Sequence, residues 1–96
     1  MKLKFEIVDE ETGDHETVAA GLSVLAAWEN DHGEPALEKI QAGYVAPIIE
    51  CARIAYNRKH GKALTAEEFD LKFEVDGVDV GGGKSANPSP PATAPQ

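Results

Sequence analysis

The residues able to carry chemistry are few and scattered. His15, His32 and His60 lie on separate segments, each beside a turn or a helix end, and none is spaced like a metal pair. His32 closes the run Trp28-Glu29-Asn30-Asp31-His32-Gly33, which has the composition of an active site. It is not the His-Glu-x-x-His zinc motif, and one imidazole beside acids at a helix end reads as a solvated terminus. The single cysteine, Cys51, shares a helix with Arg53 but on a different face, so its reading is a buried structural thiol rather than an activated nucleophile. Gly81-Gly82-Gly83-Lys84 lacks the first glycine and the hydroxyl residue of a phosphate-binding loop, and no helix follows it. Thr65-Ala66-Glu67-Glu68 brings a hydroxyl and a carboxylate together, but as a helix cap. No convergent polar site can be assembled from these residues. The expectation is a non-enzymatic protein, with no catalytic residue, metal site or cofactor.

The elements that hold these residues are organised around Tyr44 to His60. Val45, Ile48, Ile49, Ala52, Ala55 and Tyr56 recur at helical spacing, Cys51 and Ile54 widen the apolar arc, and Glu50, Arg53 and Asn57 fall opposite. Pro47 is tolerated only near a helix start, which places the first turn at Ala46 or Pro47. Arg58, Lys59 and His60 suit the negative end of the helix dipole, and Gly61 is a C-terminal stop. Before this helix, Leu3, Phe5 and Ile7 alternate with Lys2, Lys4 and Glu6 as a half-buried strand. Glu11-Thr12-Gly13-Asp14 makes a turn, and His15 to Ala19 returns as a second strand with Val18 inward. Gly21 to Asp31 reads as a helix with Leu22, Leu25 and Trp28 aligned. A break comes next at His32-Gly33-Glu34-Pro35, with Gly33 as cap and Pro35 in the first turn of the next helix, Ala36 to Gln41. Leu64 and Phe69 flank the Thr65–Glu68 capping box as a hydrophobic staple. That helix is expected to reach about Phe73, with a turn at Asp76-Gly77. The alternative is a third strand, since Leu71-Lys72-Phe73-Glu74-Val75 echoes Leu3-Lys4-Phe5-Glu6-Ile7.

The fold class is therefore α+β: an N-terminal β-hairpin packed on a small, mostly helical domain with one buried central helix. Residues 1–80 form this domain. Residues 81–96, GGGKSANPSPPATAPQ, carry no large apolar side chain and are expected to be a disordered glycine- and proline-rich tail. Among 96 residues, seventeen acids oppose nine Lys and Arg, for a net charge of -8. That balance argues against nucleic-acid binding through a basic surface. One cysteine allows no internal disulfide and fits a reducing cytoplasm. No apolar run approaches a membrane span, and no signal-peptide core follows Met1-Lys2-Leu3-Lys4.

With the elements in order, the chain resembles the small tail assembly chaperones of long-tailed bacteriophages. The resemblance rests on Leu25-Ala26-Ala27-Trp28-Glu29-Asn30-Asp31-His32-Gly33, on the Ile49-to-Arg58 helix, and on Leu64-Thr65-Ala66-Glu67-Glu68-Phe69, and it spans most of Lys2 to Phe73. The proline-rich tail and Pro47 depart from the family pattern. The resemblance implies a protein of the host cytoplasm that binds the very long tape measure protein and keeps its apolar helices soluble until the tail tube polymerises around it. It also implies a longer frameshifted form and contact with the tail tube protein. Leu22, Leu25, Trp28, Ile54 and Tyr56 are then the expected partner-binding residues, with homo-oligomerisation through the same surface as an alternative. Two other classes compete. A nucleic-acid mimic or acidic inhibitor should space carboxylates along one face, whereas Asp9, Glu10, Glu11 and Asp14 share a turn and Glu67, Glu68 and Asp70 share a helix start. A small hydrolase or metal protein needs the convergent site that is missing.

The resemblance makes a prediction at Gly82-Gly83-Lys84. The family's ribosomal slippage occurs on runs of the form G-GGA-AAA or G-GGA-AAG, which encode Gly then Lys after a codon ending in G. Gly82-Gly83-Lys84 permits that run, though other Gly and Lys codons fit equally, and the alternative is a plain glycine-rich linker. A glycine joint past the domain would let a second extension be attached without disturbing the fold. Reading the DNA checks it: a slippery run here and an overlapping open frame beyond it are expected, and the absence of both contradicts it.

Overall fold

The computed structural model describes residues 2–79. The expected tail and the Gly82–Lys84 joint lie outside them. Alternation builds the sheet. Strand β1, Leu3–Asp9, buries Leu3, Phe5 and Ile7 fully and leaves Lys4 and Glu6 in solvent. Strand β2, His15–Ala20, pairs with it antiparallel, placing Val18 opposite Phe5 and Ala20 opposite Leu3. The turn between them closes on Asp9. Its Oδ1 accepts the N–H groups of Glu11 and Thr12 at 2.8 and 3.1 Å, and Gly13 donates to Asp9 O at 2.8 Å.

Four helices come after the hairpin: α1, Leu22–His32; α2, Ala36–Gln41; α3, Val45–His60; and α4, Ala66–Lys72. Gly33 and Gly61 end α1 and α3 in the left-handed conformation, at φ 69° and 63°, where a side chain would be strained. Pro35 is the N-cap residue of α2, one position earlier than expected, and α2 finds its first donor's partner elsewhere: Ala36 N donates to Glu29 Oε2 at 2.8 Å. The capping box of α4 is complete. Glu68 N donates to Thr65 Oγ1 at 3.1 Å and Thr65 N to Glu68 Oε1 at 2.9 Å. Phe69 is buried and Leu64 is half-buried against the core, as a staple requires.

The central helix lies where its pattern places it, but its buried face is rotated. Pro47, Cys51, Ala52, Ala55 and Tyr56 face inward, Ile48, Ile49 and Ile54 are half-buried, and Val45, expected in the apolar stripe, is 65% exposed. Pro47 falls third in the helix, where backbone N–H groups have no intrahelical acceptor, so its missing donor costs nothing and its ring is free to pack.

The largest correction is at the C-terminal end of the domain. The helix stops at Lys72, and Phe73 is already extended at φ -131°, ψ 153°. Strand β3, Phe73–Asp79, pairs antiparallel with β1 to give the order β2-β1-β3. The expected turn at Asp76-Gly77 is a β-bulge: Glu6 is opposite Gly77 while Ile7 is opposite Val75, which leaves Asp76 as the extra residue. Strict alternation from Phe73 would turn Gly77 and Asp79 toward the core. The extra residue shifts the phase, so Phe73, Val75 and Val78 lie opposite Asp9, Ile7 and Phe5 and pack inward.

The helices cover the face that carries Leu3, Phe5, Ile7 and Val18, and the face with Lys4, Glu6, Thr17 and Ala19 is open to solvent. Lys59 Nζ donates to Thr17 O at 3.2 Å and so occupies the free edge of β2, while the edge of β3 carries a bulge and acids. Tyr56 packs between helix and sheet, with ring centroids 6.0 Å from Phe69 and 4.7 Å from Phe73. Tyr56→Ala should therefore lower stability by about 3–5 kcal/mol, and half-buried Ile49→Ala by about 1–2 kcal/mol. Loss of the cap in Thr65→Ala should cost about 1 kcal/mol. Urea melts of the three variants check the ranking, and a Tyr56→Ala midpoint equal to wild type would contradict the packing.

Candidate functional site

The run from Trp28 to Gly33 performs structural work. Trp28 is buried, and His32 stacks on it with centroids 4.4 Å apart and planes at 28°. Glu29 holds the first N–H of α2, and Gly33 donates to Glu29 O at 2.7 Å as it ends α1. Cys51 is free and fully buried, and burial, with Glu50 and Glu29 nearby, pushes its thiol up to about 11. A thiol held protonated at neutral pH is a core atom and not a nucleophile. His60 Nε2 lies 2.6 Å from Glu16 Oε2, and Lys59 Nζ reaches the same oxygen at 2.9 Å. These contacts tie the end of α3 to β2. Among the described residues no group of three His, Cys, Asp or Glu could hold a metal ion.

Arg53 and Asn57, on the face of α3 away from the core, clamp the α3–α4 connection. Arg53 Nη1 and Asn57 Nδ2 both donate to Leu64 O at 3.1 Å, and Leu64 N donates back to Asn57 Oδ1 at 3.1 Å. Arg53 Nη2 pairs with Glu50 at 3.0 Å. A surface hollow of about 390 Å³ between Ile54, Arg58, Lys62 and Leu64 lies beside this clamp. Arg53 Nη1 and Nη2 and the Asn57 amide are engaged there, and Arg53 Nε is buried without a partner among the described residues.

The five expected partner-binding residues separate into two sets. Leu25, Trp28 and Tyr56 are core residues, 5%, 5% and 6% exposed, and present no surface in this fold. Leu22 is 66% exposed and Ile54 half-buried. The helical stripe that aligns Leu22, Leu25 and Trp28 in the sequence is met instead by Val24, Leu25 and Trp28. Three further apolar side chains, none of them among the expected partner-binding residues, are exposed: Tyr44 at 54%, Val45 at 65% and Leu71 at 82%. The buried ring of Pro47 is the signal that turns Val45 outward, since two positions apart on a helix point about 200° apart.

Charge is divided along α3. Between positions 29 and 50 the chain has Glu29, Asp31, Glu34, Glu38 and Glu50 against Lys39 alone, and between 53 and 62 it has Arg53, Arg58, Lys59 and Lys62 and no acid. Arg58 Nη1 donates to Ser23 Oγ at 2.8 Å, so α1 starts beside the end of α3, and its own end meets α2 through Glu29. The acids therefore gather where α1 ends and α3 begins, and the bases at the opposite end of a helix about 24 Å long. Among the described residues no helix is long and apolar enough to cross a membrane. No family model matches the chain, and no curated protein or solved structure matches it either.

The ion pairs give the domain a defined acid response. Burial raises the Glu16 carboxyl, but the hydrogen bonds and charges of Lys59 and His60 outweigh it and hold the group below the usual glutamate range. Asp9 is also lowered, first by the Glu11 and Thr12 N–H groups and then by Lys72. A carboxylate lowered on folding stabilises the native state above its unfolded pKa, and that contribution is lost as pH falls through the folded value. Stability should thus decline below the ordinary carboxylate range, and Glu16→Gln should flatten part of the slope. Urea midpoints between about pH 6 and about pH 2.5 test this; parallel curves for both proteins would contradict it.

Proposed function

We propose that this protein is a non-enzymatic binding protein that keeps a long, apolar, helical client soluble, in the manner of the tail assembly chaperones of long-tailed bacteriophages. The client in that reading is the tape measure protein, met in the host cytoplasm before the tail tube closes around it. The observation that carries the reading is the exposure of Leu22, Tyr44, Val45 and Leu71 on the helices of a small, strongly acidic chain. Adjacent exposed apolar side chains, as at Tyr44 and Val45, mark places where a partner can bind, whereas single ones such as Leu22 and Leu71 carry less weight. The resemblance in the Trp28–Gly33 run, the central helix and the Thr65–Phe69 cap supports the same reading. A chaperone also needs its own core closed while it offers surface to the client, and a fully buried Leu3–Phe5–Ile7 face with apolar residues left outside fits that requirement. A nucleic-acid mimic is less well supported, because Asp9, Glu16, Glu29, Glu50 and Glu68 are engaged in turns, caps and ion pairs.

Co-expression with the tape measure protein tests the proposal. The client should be recovered in the soluble fraction with this protein and should aggregate without it. A client equally soluble in both cases would sink the reading.

A further inference from the structure

We propose that the corner between α2 and α3, formed by Tyr44, Val45, Ile48 and Ile49, is the docking site for a cationic amphipathic helix of the partner. The inference rests on the client-binding reading and deepens it by naming the surface and the chemistry of the segment that meets it. Tyr44 and Val45 are adjacent and both more than half exposed, and Ile48 and Ile49 lie half-buried on the next turn. Val45, Ile48 and Ile49 stand at i, i+3 and i+4, the row that a second helix packs against. Tyr44 is held in place from below: its N–H donates to Lys39 O at 3.1 Å and Lys39 Nζ lies 4.5 Å over its ring.

The surroundings select the partner's charge. Lys39 is paired with Glu34 at 2.8 Å and has Glu38 beside it, so the base next to Tyr44 is more than offset, and Glu29 reaches the start of α2 from the end of α1. Arg53 offsets Glu50 from the next turn. A helix with lysine or arginine flanking an apolar stripe is attracted there, whereas an acidic one is repelled. An extended segment is disfavoured, because the edge of β2 is occupied by Lys59 and that of β3 is bulged and acidic. A second copy is disfavoured by the net charge of -8 on each chain.

The test uses the full chain, ¹⁵N-labelled, titrated with a synthetic peptide of about 18 leucines and lysines arranged as an amphipathic helix, and with its leucine–glutamate counterpart. The Leu/Lys peptide should shift the amides of residues 44–49 and bind more weakly as salt rises. Val45→Asp and Tyr44→Ser should each weaken it about tenfold or more, with circular dichroism spectra unchanged because both side chains are exposed. Shifts centred on Leu22 or Leu71, equal binding of the Leu/Glu peptide, or the same shifts produced by raising protein concentration without peptide would overturn the assignment. Failure here is separable from failure of the functional reading. If Val45→Asp still keeps the tape measure protein soluble, the client-binding reading stands and the corner falls. If the client never needed the protein, the reading falls and the titration still decides the corner.

Discussion

The structure depends on how closely α3 can approach the sheet. The inward face of this helix is made of small side chains, Cys51, Ala52 and Ala55, between Pro47 at one end and Tyr56 at the other. Small residues let the helix backbone settle near the strands, and the space is then filled from the sheet side by Leu3, Phe5, Ile7 and Val18, all fully buried. Replacing any of the three small residues with a larger one would force the two layers apart. A domain of this size has little surplus burial to offset such a change.

The second dependence is the aromatic junction at the far end of α3. Tyr56, Phe69 and Phe73 come from α3, α4 and β3, and their rings meet at centroid distances of 4.7 to 6.0 Å. This junction lets α4 pass directly into β3 without a loop. Phe73 still donates its N–H to Phe69 O as the helix cap while its side chain already belongs to the sheet core. The Arg53 and Asn57 clamp on Leu64 fixes the approach to α4 from the other side, so the chain is held at both ends of that short helix.

The sheet is completed by residues far apart in the chain, which makes β1 its central strand. β1 can be buried on one face because β2 and β3 supply hydrogen bonds on both its sides. The bulge at Asp76 is what allows β3 to join, since it reconciles a glycine and an aspartate at positions 77 and 79 with an inward Val75 and Val78. Function, on the proposed reading, uses what this packing leaves over: apolar side chains that the small core has no room to cover, Tyr44 and Val45 adjacent at the start of α3 and Leu22 and Leu71 elsewhere on the helices.

Local signals in the sequence determined the α+β class, the hairpin, the helix order, the Gly33 and Gly61 stops and the Thr65–Glu68 capping box, because each depends on residues within a few positions of one another. Only the tertiary structure decided which way α3 faces and how the chain continues after Lys72. An apolar arc as wide as that of α3 fits more than one rotation, and packing against β2, α1, α2 and β3 goes with the one that buries Pro47 and exposes Val45. Asp76-Gly77 has the composition of a turn, and it became a bulge because β1, at the other end of the chain, offered an unpaired edge. The candidate site is subject to the same limit. Leu25, Trp28 and Tyr56 look available in a sequence and are consumed by the core, while Tyr44 and Val45 are left outside because packing, which is non-local, determines what remains exposed.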